Sequence, residues 1–423
     1  MLKRDLFVSS LGNTLEWFDF GLFIFFAPII GEKFFPSDNI STSTLAALGV
    51  FAAGFICRPL GGILFGYFGD IRGRAQTLRI SILAITISTL AVGLLPTYAT
   101  AGISASILFT LLRIIQGISV GGEYSGIMIY LAESAPAKKR GFITSFAATG
   151  ANIGFLFATL TVFFLKFFFS TETIQAWGWR IPFILIGLVG SMIFYYRARL
   201  SETPAYHYLL KTHHIQKHPF YTALRSAPRN LLKIFFLTCM SATFYYVFFG
   251  FMPNYLIEYL GLNSTLAFSI ESMALVSMLF LVPIAGILGD LFGRKRMLAI
   301  TATGIILFVL PCFYLLQDKT AAAIVLSIGI ATVLSSLDQG NSLTAVVENC
   351  PVDIRYTGVA FSYNLGMALF GGTAPFIVGL LTTKVSPLAP AYYLAIMAMI
   401  SLLAIKTLVG KKETDILNLS AGK

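Results

Sequence analysis

The sequence predicts an all-α polytopic membrane protein, with twelve transmembrane helices in two pseudo-symmetric six-helix bundles. The 423 residues are 57% hydrophobic and 12% charged, and the mean hydropathy is +0.81. Apolar runs of about 20 residues recur along the chain, long enough to cross a hydrocarbon core of about 30 Å. These runs are too long for barrel strands and do not alternate, so the spans are expected to be helical. Short motifs of the first half recur in the second, which indicates an internal duplication.

The apolar runs place the spans at 6–30, 44–68, 77–97, 103–131, 142–168, 181–198, 231–257, 268–289, 297–316, 321–347, 356–381 and 389–409. The longest polar interval divides the chain into a bundle at 1–198, a linker at 199–230, a bundle at 231–410 and a tail at 411–423.

The net charge of +11 is unevenly distributed over the predicted loops. Most lysines and arginines fall in the termini and in alternate connections, among them the cluster from Arg197 to Lys233. By the positive-inside rule, both termini and the linker are expected in the cytoplasm. Such a charge balance reflects topology and anionic lipid headgroups, so no nucleic-acid partner is predicted. The four cysteines lie singly and the four histidines all fall in the linker, so neither a metal site nor a cofactor is expected.

Two loop motifs occur twice. "GYFGDIRGR" (66–74) matches "GILGDLFGRKR" (286–296), which places Asp70 and Asp290 at an offset of 220 residues (290 − 70). "ESAPAKKRG" (133–141) matches "ENCPVDIRYTG" (348–358), which places Glu133 and Glu348 at an offset of 215 (348 − 133). Duplicated acids and arginines at helix ends predict a gate whose pairs hold one face shut and break when the bundles rock. Snorkelling charges that only anchor the helices are the alternative. The predicted gate residues are Asp70, Arg74, Glu133, Arg140, Asp290, Arg294, Glu348 and Arg355.

The repeated GxxxDxxGR pattern resembles the signature loop of the major facilitator superfamily, and "RIIQG" (113–117) resembles its helix-4 motif, whose arginine is associated with proton-coupled members. Five stretches are similar to the metabolite:proton symporter branch, which contains carriers for proline and betaine, α-ketoglutarate, citrate and shikimate. They are "GNTLEWFDFG" (12–21), "RPLGGILFG" (58–66), "QGISVGGEYSG" (116–126), "WGWRIPF" (177–183) and "YNLGMALFGGTAP" (363–375). The resemblance implies a carrier in a bacterial inner membrane. Ile71 and Ala75-Gln76 stand where basic residues are usual, so the first gate is expected to be weaker, and Asp338 is not a usual residue of the branch.

Acids inside the first predicted helix are costly, about 2.5–3.5 kcal/mol each for a charge at the bilayer centre. Glu16 and Asp19 are three residues apart and share a helix face, so we expect them to face water in a central cavity. A buried pair neutralised by arginine is the alternative. Arg58 suits a substrate carboxylate as well as it suits an acidic partner. Arg113 can likewise serve a substrate or pair with Glu16, Asp19 or Glu123, and Gln116 and Glu123 on its helix face favour an internal relay.

The offset of 215 superposes Glu123 on Asp338, so both halves place an acid at the same depth of equivalent helices. Both are candidates for proton handling, and a structural role is the alternative. The helix-7 stretch "SATFYYV" (241–247) brings Tyr245 and Tyr246, which can stack on a solute or donate hydrogen bonds, and helix packing is the alternative for each ring.

The sequence thus predicts a proton-coupled importer of a small carboxylate or zwitterion, working by alternating access as a monomer among lipids. Efflux of a drug-like or siderophore-like compound and passive uniport are the alternatives. An enzyme is not expected, because no catalytic constellation is visible. The predicted substrate-binding residues are Arg58, Glu16, Asn13, Tyr245, Tyr246 and Asn364, and the predicted proton-coupling residues are Asp19, Glu123, Arg113 and Asp338.

Overall fold

A computed structural model of the chain describes residues 3–408, so the tail predicted at 411–423 lies outside the described residues. Every regular element in residues 3–408 is a helix. Twelve of these helices are long and apolar enough to cross a membrane, which confirms the predicted fold class. They are α1 (Arg4–Phe34), α2 (Ile40–Ile71), α3 (Arg74–Leu94), α4 (Ile103–Ser134), α5 (Ala137–Phe168), α6 (Arg180–Arg197), α7 (Pro228–Tyr259), α8 (Thr265–Phe292), α9 (Arg294–Gln317), α10 (Ala321–Glu348), α11 (Val352–Lys384) and α12 (Ala389–Lys406).

Several helices are longer than their apolar runs. The 32 residues of α2, for example, replace the predicted span 44–68. At 1.5 Å per residue, 32 residues span about 48 Å, more than the roughly 30 Å of a hydrocarbon core. Hydropathy marks only the part of a helix that lies in lipid, whereas the polar first and last turns continue the same backbone hydrogen bonds.

We call the face where α1 begins the terminal face and the opposite one the far face.

Helix ends are set by short polar residues and by glycine. The Asn39 side chain accepts the Ser41 N–H at the start of α2, and the Asn263 side chain accepts the Thr265 N–H at the start of α8. The breaks between α2 and α3 and between α8 and α9 fall at Gly73 and Gly293, whose φ angles are 108° and 94°. Only glycine adopts such angles without strain, so the duplicated loop glycines permit the same tight turn in both halves.

The two halves pack by the same plan. In the first half α1 packs on α5, α2 on α4 and α3 on α6. In the second half the equivalent pairs are α7 with α11, α8 with α10 and α9 with α12. The halves meet where α2 packs on α11 and where α5 packs on α8. These two contacts are equivalent, because α8 is the counterpart of α2 and α11 is the counterpart of α5.

The linker forms two short helices at the terminal face, Pro204–Lys211 and Pro219–Ser226. Thr203 caps the first one by accepting the Tyr206 N–H, and the Tyr206 hydroxyl donates to the Ile71 carbonyl at 2.6 Å. The second helix packs against α2 and α11. The linker therefore lies across the ends of helices from both halves.

Candidate functional site

A cavity of about 50 Å³ lies between the two bundles, with walls from α1, α4, α5, α7, α10 and α11. At roughly 10–15 Å³ of such volume per water molecule, it holds about four waters in this conformation. A metabolite of the size of an amino acid therefore requires the helices to separate slightly around it.

Five aromatic side chains form one side of this cavity: Trp17, Tyr124, Tyr245, Tyr246 and Tyr363. The Tyr124 and Tyr363 rings stack at 5.6 Å, and Trp17 meets Tyr124 edge-on at 5.9 Å. The Trp17 indole nitrogen and the Tyr246 hydroxyl have no hydrogen-bond partner in the described part of the chain. The wall therefore offers π faces for a cation or an apolar group, together with free polar hydrogens.

The cavity wall from α10 contributes Asp338, which is 3% exposed. The hydroxyls of Ser241 and Ser342 approach its carboxyl group, and both serines also line the cavity. No lysine or arginine among residues 3–408 forms an ion pair with Asp338, whereas Glu123, its predicted counterpart, has one. Of the two aligned acids, Glu123 is therefore neutralised by an arginine and Asp338 is not, within the described residues.

Arg58 lies behind the aromatic side of the cavity and is 0% exposed. Its Nε donates to Asn364 Oδ1 at 3.0 Å, and its guanidinium carbon lies 5.3 Å from the centre of the Phe55 ring. Its two terminal nitrogens have no hydrogen-bond partner among the described residues. The Phe55 ring in turn meets the Tyr246 ring edge-on at 6.1 Å, so Arg58 lies one ring behind the cavity wall. Two free parallel donors are the arrangement that binds a carboxylate.

Asn364, one of the predicted substrate-binding residues, makes hydrogen bonds to α4 and to Arg58. The amide nitrogen donates to the Gly121 carbonyl at 2.8 Å and to Ser125 Oγ at 3.0 Å, while its oxygen accepts from Arg58. Asn364 thus fixes the Arg58 side chain between α4 and α11. Asn13, also predicted for substrate, is fully buried and donates to the Ala147 carbonyl, which joins α1 to α5.

Glu16 and Asp19 were expected in a water-filled cavity, and the structure instead buries both between helices at 1% exposure. Asp19 Oδ2 lies 2.8 Å from Arg113 Nη1, which is the arginine-neutralised acid given above as the alternative, and the pair joins α4 to α1. The Arg113 guanidinium also lies over the Phe23 ring, 4.1 Å from its centre. Arg113 thus contacts one carboxylate and lies among the rings of Phe23, Phe109 and Phe183.

Glu16 has no hydrogen bond at either carboxylate oxygen in the described part of the chain. Its charged neighbours are Arg58, Glu123, Arg197 and Asp19. Glu16 therefore lies among the buried charges of the first bundle, with Arg58 and the Glu123–Arg197 pair as neighbours.

Glu123 pairs with Arg197, a residue that sequence reasoning assigned to the basic loop cluster. Glu123 Oε1 lies 2.6 Å from Arg197 Nη2, both side chains are fully buried, and Ser81 Oγ donates to Glu123 Oε2 at 2.5 Å. Arg197 further donates to the carbonyls of Ser9 and Leu78, so it joins α6 to α1 and α3. The available signal was the unpaired acid in predicted helix 4, which requires a basic partner somewhere in the same bundle.

The eight predicted gate residues form two matching clusters at the terminal face. In the first, Asp70 accepts the N–H groups of Tyr356 and Thr357 at 3.0 and 2.9 Å, at the start of a helical segment of α11. In the second, Asp290 accepts the N–H groups of Gly141 and Phe142 at 2.8 and 3.0 Å. Each aspartate thus connects one bundle to a helix start of the other.

Ion pairs complete each cluster. Glu133 lies 3.2 Å from Arg74 and 2.9 Å from Arg355, and Glu348 lies 3.2 Å from Arg294 and 3.1 Å from Arg140. In both clusters one glutamate is shared by an arginine of its own bundle and an arginine of the other. The terminal face is therefore closed in this structure.

The first cluster was expected to be weaker because it lacks basic residues at 71, 75 and 76. The linker supplies additional contacts there: Glu202 accepts the Ala75 N–H at 3.1 Å, and Thr203 Oγ1 donates to Glu133 at 2.7 Å. Burial of Glu202 raises its pKa above the usual range. Among residues 3–408, no group of three or more His, Cys, Asp or Glu side chains is placed to hold a metal ion.

Comparisons with known proteins agree with this architecture. Residues 6–228 match the family model described as sugar (and other) transporter, and residues 234–422 match the Major Facilitator Superfamily model. The proline/betaine transporter of Salmonella typhimurium is 34% identical over 98% of this chain and 84% of its own length. The glycine betaine/proline/ectoine/pipecolic acid transporter OusA of Dickeya dadantii is 33% identical over 95% of this chain and 82% of its own. Among solved structures, the proton:xylose symporter XylE bound to 6-bromo-6-deoxy-D-glucose superposes with a TM-score of 0.80 at 18% identity, covering 96% of each chain.

Proposed function

This chain belongs to the major facilitator superfamily of transporters, and we propose that it imports a small zwitterion together with a proton by alternating access. The observation that carries the proposal is the fully buried Arg58, which lies behind the aromatic side of the central cavity with its two terminal nitrogens unpaired among the described residues. Glu16 is a charged neighbour of Arg58 but forms no ion pair with it, so the two free donors remain available to a substrate carboxylate.

The other side of the cavity favours a positive charge on the same solute. Asp338 is not paired with any described basic residue, and the aromatic side chains offer π faces. A dicarboxylate would bring a second negative charge towards Asp338, whereas a zwitterion satisfies Arg58 and Asp338 together. The names of the relatives, which include proline and betaine, support the same class.

Proton coupling is assigned to the pair Asp19 and Arg113. An ionised Asp19 holds α1 to α4 through the 2.8 Å contact, and a proton on Asp19 removes that attraction. The same proton leaves Arg113 unpaired, so it changes the preferred packing of α1, which also carries Trp17 on the cavity wall. Glu123 is a weaker candidate than the sequence indicated, because Arg197 holds its charge.

Alternating access then follows from the two gate clusters. With the terminal face closed, solute and proton enter from the far face, and breaking the clusters opens the terminal face. The charge distribution favours a cytoplasmic terminal face, so the direction of this cycle is uptake.

The test is transport into proteoliposomes that contain a pH-sensitive dye. Proline, betaine, α-ketoglutarate, citrate and shikimate are added singly outside, and we expect the lumen to acidify with the zwitterions alone. Acidification with citrate or α-ketoglutarate in their place would overturn the substrate class. No proton movement with a solute that is nevertheless taken up would overturn symport.

Asp19→Asn is the decisive variant for coupling. It should lose accumulation against a gradient while it retains solute exchange at equal concentrations, because the amide cannot carry the proton. Asp38→Asn, at an exposed position, is the matched control and should behave as wild type. Full accumulation by Asp19→Asn would remove this residue from the coupling mechanism.

A further inference from the structure

One acid of the second bundle has no part in the functions described above. Glu271 lies on the buried face of α8, together with Ala267, Ala274 and Met278, and is 7% exposed. It lies six residues from the far-face end of the helix, which corresponds to about 9 Å along the axis. Glu271 is therefore at membrane depth, on a face that is otherwise apolar.

Glu271 is unpaired. Neither of its carboxylate oxygens has a hydrogen-bond partner, and no basic group forms an ion pair with it, among the residues the structure describes. Asp19 and Glu123, by contrast, each contact an arginine. An ionised carboxylate cannot remain in such a place without a large free-energy cost, whereas a protonated carboxyl group can.

The helices around Glu271 bring little other charge to it. Tyr245 of α7 lies within electrostatic range, and its hydroxyl donates to Asn152 of α5 at 3.2 Å, a contact between the two bundles. The basic residues of α5 and α9 stand at helix ends, namely Lys138, Lys139, Arg140 and Lys166 on α5 and Arg294, Lys295 and Arg296 on α9.

The acids of α10 and α7 are also distant. Gly340 of α10 packs against Ala285 of α8, and from this register Asp338 lies about 18 Å nearer the terminal face than Glu271. Glu258, near the far end of α7, is exposed.

The internal repeat shows that packing does not require an acid at this position. The offset of 220 residues that aligns the gate aspartates places Phe51 of α2 at the position equivalent to Glu271 (271 − 220). Phe51 stacks on Phe23 at 5.3 Å and contacts Phe20 at 5.4 Å. One bundle thus fills this position with a ring and the other with a carboxyl group, which costs stability when charged.

From this placement we infer that Glu271 is a second proton-binding site, in the bundle opposite Asp19. The inference rests on the proposed transport function. A proton from water at the far face bonds to a carboxylate oxygen when the helices open there, and it leaves to water after the bundles have moved. A metal ion would require several oxygen ligands, and the surroundings offer one carboxyl group and one phenol. With two sites, the carrier moves one more proton per solute than Asp19 alone accounts for.

The test measures the proton-to-solute ratio in proteoliposomes from dye response and labelled solute uptake. Glu271→Gln should transport with the ratio lowered by one, and Glu271→Phe, which copies the equivalent residue, should do the same. Glu258→Gln, an exposed acid on α7, is the matched control and should keep the wild-type ratio. An unchanged ratio in both Glu271 variants, or a ratio that depends on external sodium, would overturn the inference.

A second readout does not require transport. Infrared difference spectra of the folded wild-type protein should show the carbonyl band of a protonated carboxyl group that titrates with pH and shifts in heavy water, and Glu271→Gln should lack it. If no solute is taken up with protons but the band is present, the proposed function fails while the protonation site stands. If transport is proton-coupled but the band is the same in both proteins, the site fails alone.

Discussion

Arg197 and Glu123 show how strongly single contacts determine the stability of the first bundle. Removing one member of a fully buried ion pair leaves the other charge uncompensated, at a cost of about 3–5 kcal/mol. We expect Arg197→Met to lower the unfolding temperature in detergent markedly, and the double variant Arg197→Met with Glu123→Gln to recover part of the loss.

Arg199→Met is the matched control for this pair of variants. Arg199 is exposed and its side chain contacts the ring and hydroxyl of Tyr195, so its loss should leave the unfolding temperature nearly unchanged. Additive effects of the two substitutions, without recovery in the double variant, would contradict a direct coupling between Arg197 and Glu123.

Among single residues, the sequence located the buried acids more reliably than the residues that form ion pairs with them. Glu16, Asp19 and Glu123 were found because a charge inside an apolar run is conspicuous. Spacing along a helix indicates which face a residue occupies, but it does not indicate which neighbouring helix packs on that face. For Arg113 the sequence therefore left Asp19 and Glu123 both open and favoured Glu123, and Arg197 was counted among the loop charges.

Among the helices, the contact of α2 with α4 depends on glycine. A Cβ atom at Gly61 would stand 1.9 Å from the Ile118 carbonyl oxygen, so the two backbones must separate. Gly61→Ala should cost about 1–3 kcal/mol of stability by overpacking. Because Arg58 lies one turn away on the same helix, the solute concentration for half-maximal uptake should rise as well.

Gly49→Ala is the control on the same helix, because a Cβ atom there meets nothing within 4 Å. Its unfolding temperature and uptake should equal or slightly exceed those of wild type, since alanine favours helix. If Gly61→Ala were as stable and as active as Gly49→Ala, the close approach of α2 and α4 would not exist in the working protein.

The linker, as an element, gives the first gate cluster a dependence on pH. Burial raises the pKa of Glu202 above its usual 4.5, so the folded state binds this proton more tightly than the unfolded state. The stability that the proton contributes is present below pH 4.5 and is lost as pH rises through the raised pKa. Unfolding temperatures measured from pH 4.5 to neutral should therefore fall less in Glu202→Gln than in wild type. Parallel pH profiles in the two proteins would contradict this.

For the whole molecule, the duplication was readable because it repeats short motifs with fixed offsets, and the gate followed from them. The eight residues predicted for the gate all lie in the two clusters, since the duplication repeats the same residue types in both halves. The cavity was harder to foresee, because its walls come from six helices that are distant in sequence. The contacts of Glu202 and Thr203 with the first gate cluster were also missed, because the linker carries no repeated motif.

Opening of the terminal face can be followed through Cys350, which lies between α10 and α11 and is 2% exposed. Burial raises the pKa of this thiol to about 12, so near neutral pH it reacts slowly with maleimides until the face opens. Asp70→Asn removes the charge that holds the N–H groups of Tyr356 and Thr357. If this substitution lowers the free energy that keeps the terminal face closed by about 1.4 kcal/mol, the open population and the labelling rate rise about tenfold.

The measurement uses a protein in which Cys57, Cys239 and Cys312 are serine, so that Cys350 alone reports. Asp318→Asn, an exposed acid at the far face, is the control and should not change the rate. Because Asp290 has the same role in the second cluster, Asp290→Asn should accelerate labelling to a similar extent. The double variant should be faster than either single one, since both clusters close the same face. Acceleration by one aspartate variant alone would mean that the two clusters, though alike in geometry, do not share the work of keeping the terminal face closed.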